Sequence, residues 1–334
     1  MAIDIGRRQF ISALGGAAVA WSKAARAQQT QRMRRIGVLL GTSENEEGKA
    51  RVAAFEQGLE ALGWRNGQNV QIQYKWSDGD ADRINVYAAE LVHSFPDLIV
   101  ASNTPVVSAI TSLTQSIPII FVMVSDPVGS GFVDSMAHPG RNITGFTNFE
   151  YSTATKWIEL LKKIDPNLER VAMIVNPETS PGNGALYTAP IVSAANILRV
   201  EAKLVTVHGV DDIERTFTGL TKELRTGVIV LPDSFTTSNV EPIVELLSRH
   251  PLPSAFAYRI FVVRGGMVAY GVDSADIHWR AASYVDRVLQ GADPGNLPVQ
   301  APTKFELVIN LRTAKSLGLT VPPSLIAIAD EVLE

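Results

Sequence analysis

Short apolar runs alternate with amphipathic segments along most of the chain. Residues 36–40 are apolar around Gly37 and end at Gly41-Thr42-Ser43, the pattern of a buried strand and a turn. Residues 52–62 place Val52, Phe55, Leu59 and Leu62 at spacings of three and four, which predicts a helix, and Gly63 stops it. Strands are expected next over 70–76, 98–101, 117–124 and 143–146, with helices over 84–92 and 106–113; Pro105 suits a first helical turn. The order then recurs, with strands over 171–175, 203–207, 228–231, 253–257 and 267–270 and helices over 185–200, 213–224 and 240–249. A helix over 277–289, a strand over 305–309 and a helix over 311–317 complete the chain.

Strand–helix alternation implies an α/β fold with parallel sheets covered by helices on both faces. Its recurrence predicts two doubly wound parallel-sheet lobes joined by a multi-strand hinge. The N-terminal lobe is expected over residues 32–148 plus about 273–300, and the C-terminal lobe over 149–272 plus about 301–334. Ligands of such sheets bind beyond the carboxyl ends of the strands. Two lobes facing each other put those ends on one shared cleft.

The turns after the strands therefore carry the candidate contacts. Ser102, Asn103 and Thr104 close a strand and open a helix, so their hydroxyls, amide and free N–H groups suit a carboxylate. Simple N-capping accounts for the same residue types. Thr42 and Ser43 stand in the same geometry after the first strand. Asp126 follows the fourth strand and suits an ammonium, a hydroxyl or a turn cap. From the second half come Asn176, Glu178, Thr179 and Ser180, and then Asp233, which suits an ammonium and equally a helix cap. Tyr258 and Tyr270 end the last two strands of that half; their rings suit stacking on a ligand or packing in the core.

Composition narrows the chemistry. With 46% hydrophobic and 19% charged residues in 334, the chain has material for two cores and is not disordered. It has no cysteine, which excludes disulfides, thiolate metal sites and a cysteine nucleophile. No phosphate-binding loop, Gly-x-Gly-x-x-Gly or Gly-x-Ser-x-Gly occurs, and the five histidines never fall four apart. No cofactor or metal is expected, and the chain reads as a binding protein rather than an enzyme; a cleft hydrolase using Asp126 or Asp233 is the alternative. Arg7-Arg8-Gln9-Phe10-Ile11, an apolar stretch to Trp21 and Ala25-Arg26-Ala27 follow the order of a twin-arginine export signal cleaved after Ala27. That predicts a periplasmic protein. Removing residues 1–27 takes away four basic and one acidic residue, which leaves a formal charge of −7 and argues against nucleic acid as a partner.

An ordered series of segments carries a family resemblance. It runs from Arg35-Ile36-Gly37-Val38-Leu39 through Gly67-Gln68-Asn69-Val70 and Pro96-Asp97-Leu98-Ile99-Val100-Ala101. It continues with Ser125-Asp126-Pro127-Val128, Pro139-Gly140-Arg141-Asn142-Ile143-Thr144-Gly145 and Pro302-Thr303-Lys304-Phe305-Glu306-Leu307. The chain resembles the ABC transporter substrate-binding protein family, whose best-known branch binds tryptophan or tyrosine. The resemblance implies the type I periplasmic-binding fold, capture of a small carboxylate-bearing solute such as an amino acid or an aromatic or organic acid, and delivery to an ABC permease in the inner membrane. A monomer is expected. An extracytoplasmic ligand sensor for a membrane signalling protein is the alternative role. One departure stands out: the family's Gly-Thr-Pro-Ala turn is here Ser102-Asn103-Thr104-Pro105, which adds a polar amide.

Overall fold

The computed structural model describes residues 32–334 except Leu224. The export-signal reading of residues 1–27 lies outside the described residues. The apolar runs become strands, those inside each sheet buried on both faces and the edge strands Val70–Trp76 and Glu201–Thr206 partly exposed. β1 (Arg34–Leu40), β2 (Val70–Trp76), β3 (Leu98–Ser102), β4 (Ile119–Val124) and β5 (Ile143–Thr147) form one parallel sheet in the order β2-β1-β3-β4-β5. Parallel strands need cover on both sides, and side-chain alternation supplies it. Leu98 and Val100 join a cluster with Phe55 and Leu59 of α1 (Glu46–Ala61). Ile99 and Ala101 join another with Ile84, Ala88 and Leu91 of α2 (Ala81–His93) and Val106, Val107 and Ile110 of α3 (Thr104–Leu113).

The second sheet repeats the plan and extends it. β6 (Arg170–Val175), β7 (Glu201–Thr206), β8 (Thr226–Val230), β9 (Ser254–Phe256) and β10 (Val268–Val272) are parallel in the order β7-β6-β8-β9-β10. β11 (Phe305–Asn310) then adds antiparallel to β10, and β12 (Glu331–Leu333) parallel to β11. The antiparallel pair departs from the all-parallel expectation, because the chain reaches β11 from the opposite end of the sheet. The sequence reading leaves residues 151–164 without an element. They form α4 (Tyr151–Ile164), whose Ala154, Trp157, Ile158, Leu161 and Ile164 are buried at helical spacing. α5 (Ala185–Leu198), α6 (Val210–Leu220), α7 (Ser234–Ser238), α8 (Val240–Arg249) and α9 (Arg259–Val263) complete the elements between β6 and β10.

The chain passes between the two sheets three times. It leaves β5 through Asn148–Glu150 into α4, which packs on β8, β9 and β10. It returns at Asp273 into α10 (Ser274–Leu289), which packs on α1, β4 and β5. The segment after α10 stays on the first sheet: Gln300 N–H donates to Gly145 O (2.9 Å), and its own carbonyl accepts from Thr147 N–H (2.9 Å). Residues 301–304 then lead into β11. The second and third passages are tied together, with Asp273 N–H donating to Lys304 O (3.1 Å) and Lys304 Nζ paired with Asp273 (2.7 Å). No helix among the described residues is long and apolar enough to cross a membrane.

α10 and α1 approach closely at Gly58. A Cβ there would lie 2.6 Å from the Trp279 carbonyl oxygen and 2.8 Å from Ala282 Cβ. Gly58→Val is therefore expected to lower unfolding stability by about 1–3 kcal/mol through overpacking, read by urea denaturation. An unchanged denaturation midpoint would show that the two helices separate without cost.

Candidate functional site

The carboxyl ends of the two sheets face each other across a cleft. From the first sheet, Thr42 follows β1, Ser102 ends β3, and Asn103 caps α3 with Thr104 and Pro105 in its first turn. Met123 and Ser125 come from the end of β4, and Asn148 from the first passage. From the second sheet, Thr179 and Pro181 follow β6, Pro232, Asp233, Ser234 and Thr237 follow β8, and Tyr258 follows β9. These groups, together with Arg51 of α1, line a partly open cavity of about 40 Å³. The cleft is closed: Asn103 Nδ2 donates directly to Ser234 Oγ of the opposite sheet at 2.9 Å.

Seven of the thirteen sequence candidates line this cavity: Thr42, Ser102, Asn103, Thr104, Thr179, Asp233 and Tyr258. The other six lie off the lining. Ser43 sits under α1, where its carbonyl oxygen would meet a Cβ on Gly48 at 2.7 Å. Asp126 caps its own turn, accepting from Gly129 N–H at 2.8 Å. Asn176 braces the β6 loop, its Oδ1 accepting from Glu178 N–H and its own N–H donating to Asp233. Glu178 is exposed and pairs with His208. Ser180 is buried behind the loop. Tyr270 stacks on Phe305 at 6.0 Å within the second sheet.

Arg51, absent from the sequence candidates, is the cation of the site. It lies on the inner face of α1 with only 3% of its surface exposed. Its Nε donates to Ser274 Oγ (3.1 Å) and lies 3.4 Å from Glu47, and its guanidinium sits over the Tyr258 ring at 5.8 Å. Its Nη2, and the hydroxyl of Thr42, are buried without a hydrogen-bond partner among the described residues. Glu47, Arg51, Phe55 and Leu59 recur every four residues, so the inward direction of Arg51 was legible from Phe55 and Leu59. His278 lies behind this group. Burial, with Arg51 adding, pushes its pKa down to about 3, so it stays neutral while Nδ1 bonds to Ser274 O (2.7 Å).

Asp233 is the anion. It caps α7, accepting from Thr236 N–H (2.7 Å), and also accepts from Asn176 N–H (3.0 Å) and Thr179 Oγ1 (3.2 Å). No salt bridge reaches it among the described residues. Burial pushes its pKa up to about 6 against the pull of these hydrogen bonds. Tyr258, whose hydroxyl accepts from Asn148 Nδ2 (2.9 Å), is also raised by burial and stays neutral. The cavity thus sets one buried cation with a free donor against one buried carboxylate with no cation, among neutral hydroxyls and amides.

The family model described as ABC transporter substrate binding protein matches residues 40–333. A tyrosine-binding protein of Clostridioides difficile is 26% identical over 266 residues, covering 79% of this chain and 75% of that protein. A conserved domain protein of Vibrio cholerae superposes with a TM-score of 0.83 at 27% identity, over 90% of this chain and 100% of that one. An ABC domain from Streptococcus pneumoniae in complex with L-Trp also gives 0.83, at 25% identity and the same coverage.

Asp233 imposes a pH dependence. The folded chain keeps this proton up to about pH 6, whereas the unfolded chain loses it near its ordinary value of 3.8. Between these values the native state binds the extra proton, so its stability falls as pH rises, with the full cost present above about 6. Asp233→Asn removes that slope. The wild-type minus variant difference is expected to change by on the order of 2 kcal/mol between pH 4 and 7 in urea denaturation. A difference independent of pH would show that the carboxylate is not desolvated.

Proposed function

The chain belongs to the ABC transporter substrate-binding protein family, and from that membership we propose that it captures a free α-amino acid between its lobes and presents it to an importer permease. The observation that carries this reading is the charge pattern of the cavity. A zwitterion offers a carboxylate to Arg51 Nη2 and the Thr42 hydroxyl, and an ammonium to Asp233. The first contact supplies the acceptor that Arg51 lacks, and the second the cation that Asp233 lacks. The start of α3, with Ser102 and Thr104, adds N–H and hydroxyl donors on the carboxylate side. The tyrosine-binding and L-Trp-bound relatives support an amino acid as the ligand class.

Binding is reversible and without turnover in this reading. The lobes comprise residues 32–148 with 273–300, and 149–272 with 301–334, and they move about the three passages. Ligand stabilises the closed pair because Arg51 and Asp233 reach it from opposite sides, and only closure satisfies both. The Arg7-Arg8 segment and the Ala25-Arg26-Ala27 site support export to the periplasm before this function begins.

Isothermal titration with the common amino acids tests the ligand class. Binding is expected for an L-amino acid, with loss on acetylation of its amino group. Affinity is expected to fall below pH 6, as protonation of Asp233 removes the partner of the ammonium. Arg51→Lys keeps the charge beside Glu47 but removes the free Nη2, and should weaken binding by about 100-fold with a small change in unfolding midpoint. Equal affinity for the free and N-acetylated ligand would overturn the zwitterion reading. Small-angle scattering should show a smaller radius of gyration with saturating ligand than without; an unchanged radius would overturn closure.

A further inference from the structure

We infer that Asn103 sets the specificity of the cleft, restricting it to small amino acids with a hydrogen-bonding side chain; this rests on the amino-acid reading above. Asn103 is built as a fixed roof. Its backbone has φ 79° and ψ 162°, a region that essentially only glycine occupies freely. Its Oδ1 accepts from Val106 N–H at 3.2 Å, and its Nδ2 donates to Ser234 Oγ at 2.9 Å. Gly41 leaves room for the amide, since a Cβ there would lie 1.9 Å from Nδ2. The carboxamide is therefore pinned from its own helix, from the neighbouring strand end and from the opposite lobe.

The roof limits what fits beneath it. The space left between the touching lobes measures about 40 Å³, against roughly 150 Å³ for a cavity that takes a benzene ring. A large ring enters only if the lobes part further, which breaks the Asn103–Ser234 bond. An indole or phenyl ring then leaves both polar groups facing apolar atoms with nothing to pair with. A short hydroxyl or amide side chain needs the least separation, and it finds partners in Asn103, Ser125, Asn148 and Thr237. Serine, threonine and asparagine are the ligand class this lining selects, in contrast to the L-Trp held by the pneumococcal relative.

Calorimetric titration of the wild type, Asn103→Gly and Ser234→Ala with serine, threonine, asparagine, phenylalanine and tryptophan tests the assignment. The wild type is expected to bind one of the three small polar amino acids at least about tenfold more tightly than tryptophan. Asn103→Gly should fold at least as stably, because glycine adopts this φ freely and serves nearly as well as a cap. It should gain at least about tenfold in tryptophan affinity while losing small-ligand affinity. Ser234→Ala removes the acceptor without removing the roof, and should weaken the small ligands with no gain for tryptophan. Wild-type preference for tryptophan, or an unchanged ligand spectrum in Asn103→Gly, would overturn the specificity assignment while leaving amino-acid binding intact. Absence of binding by any common amino acid, in wild type and variants alike, would overturn both.

Discussion

The cleft depends on one topological constraint: each sheet reverses its strand order. β1 lies between β2 and β3, so the crossover from β1 to β2 and the crossover from β3 to β4 must leave in opposite directions. Right-handed crossovers then put α1 on one face of the sheet and α3 on the other. No helix can cover the gap between the carboxyl ends of β1 and β3, and Thr42 and Ser102–Thr104 border that gap. The second sheet makes the same reversal at β6, between β7 and β8. Thr179 and Asp233 border its gap. Facing the two gaps across three chain passages turns two shallow crevices into one shared site.

Electrostatics connect that site to the passages that hold the lobes together. Arg51 reaches the cavity with Nη2 while Nε bonds to Ser274, the first residue of α10. Ser274 donates in turn to Glu47, which anchors the same turn of α1. The residue before it, Asp273, is the second passage and is paired with Lys304 of the third. A short run of bonds therefore links the ligand cation to two of the three passages. Burial sets the Arg51–Glu47 pair apart from the exposed salt bridges, Asp273–Lys304 among them, which solvent screens. Glu306, next along β11, is pushed up to about 7 by burial, with Arg259 opposing, so the hinge side of the second sheet also titrates near neutrality.

Most of the architecture was legible because parallel strands buried on both faces must be written as continuous apolar runs. Leu98–Ala101 and Ile119–Val124 could hardly be anything else, and the polar turns after them named the strand ends that border the cleft. The short elements α7, α9 and β12 carry too few residues to show a period, and three larger features escaped for identifiable reasons. α4 reads as a helix only once its Trp157 and Ile158 stripe is recognised, and it begins inside the first passage. The antiparallel entry of β11 depends on where the chain re-enters the second sheet, which no local pattern encodes. Arg51 was missed because it falls one residue before the helix predicted over 52–62, whereas the helix starts at Glu46. The candidates that missed the lining, such as Asp126 and Asn176, are polar groups in loops that spend their hydrogen bonds on the loop itself. Sequence shows which turns approach a cleft; the partner of each side chain within the turn is decided by packing.

Two of the four non-glycine residues with positive φ among the described residues of the first lobe lie at the cleft; the other two, Asp78 and Phe95, lie away from it. Asn103 and Met123 both hold positive φ, at 79° and 58°, and both line the cavity. They are adjacent in space, because Asn103 N–H donates to the carbonyl of Val122 at 2.9 Å. Met123 sits in the break of register between Val122 and Val124, a bulge that turns the end of β4 out of the regular ladder. Asparagine tolerates positive φ better than most residues, but a methionine there is a genuine outlier. Each such residue costs on the order of 1–3 kcal/mol. Fully burying one Val, Leu or Ile side chain contributes about 1.5–3 kcal/mol, and β3 and β4 together bury Leu98, Ile99, Val100, Ile119, Ile120, Val122 and Val124. The strained ends are therefore anchored on strands whose side chains are buried on both faces. Strands this well fixed on both faces can carry distorted termini without unravelling, and the distortion is what sets the Asn103 amide over the cavity.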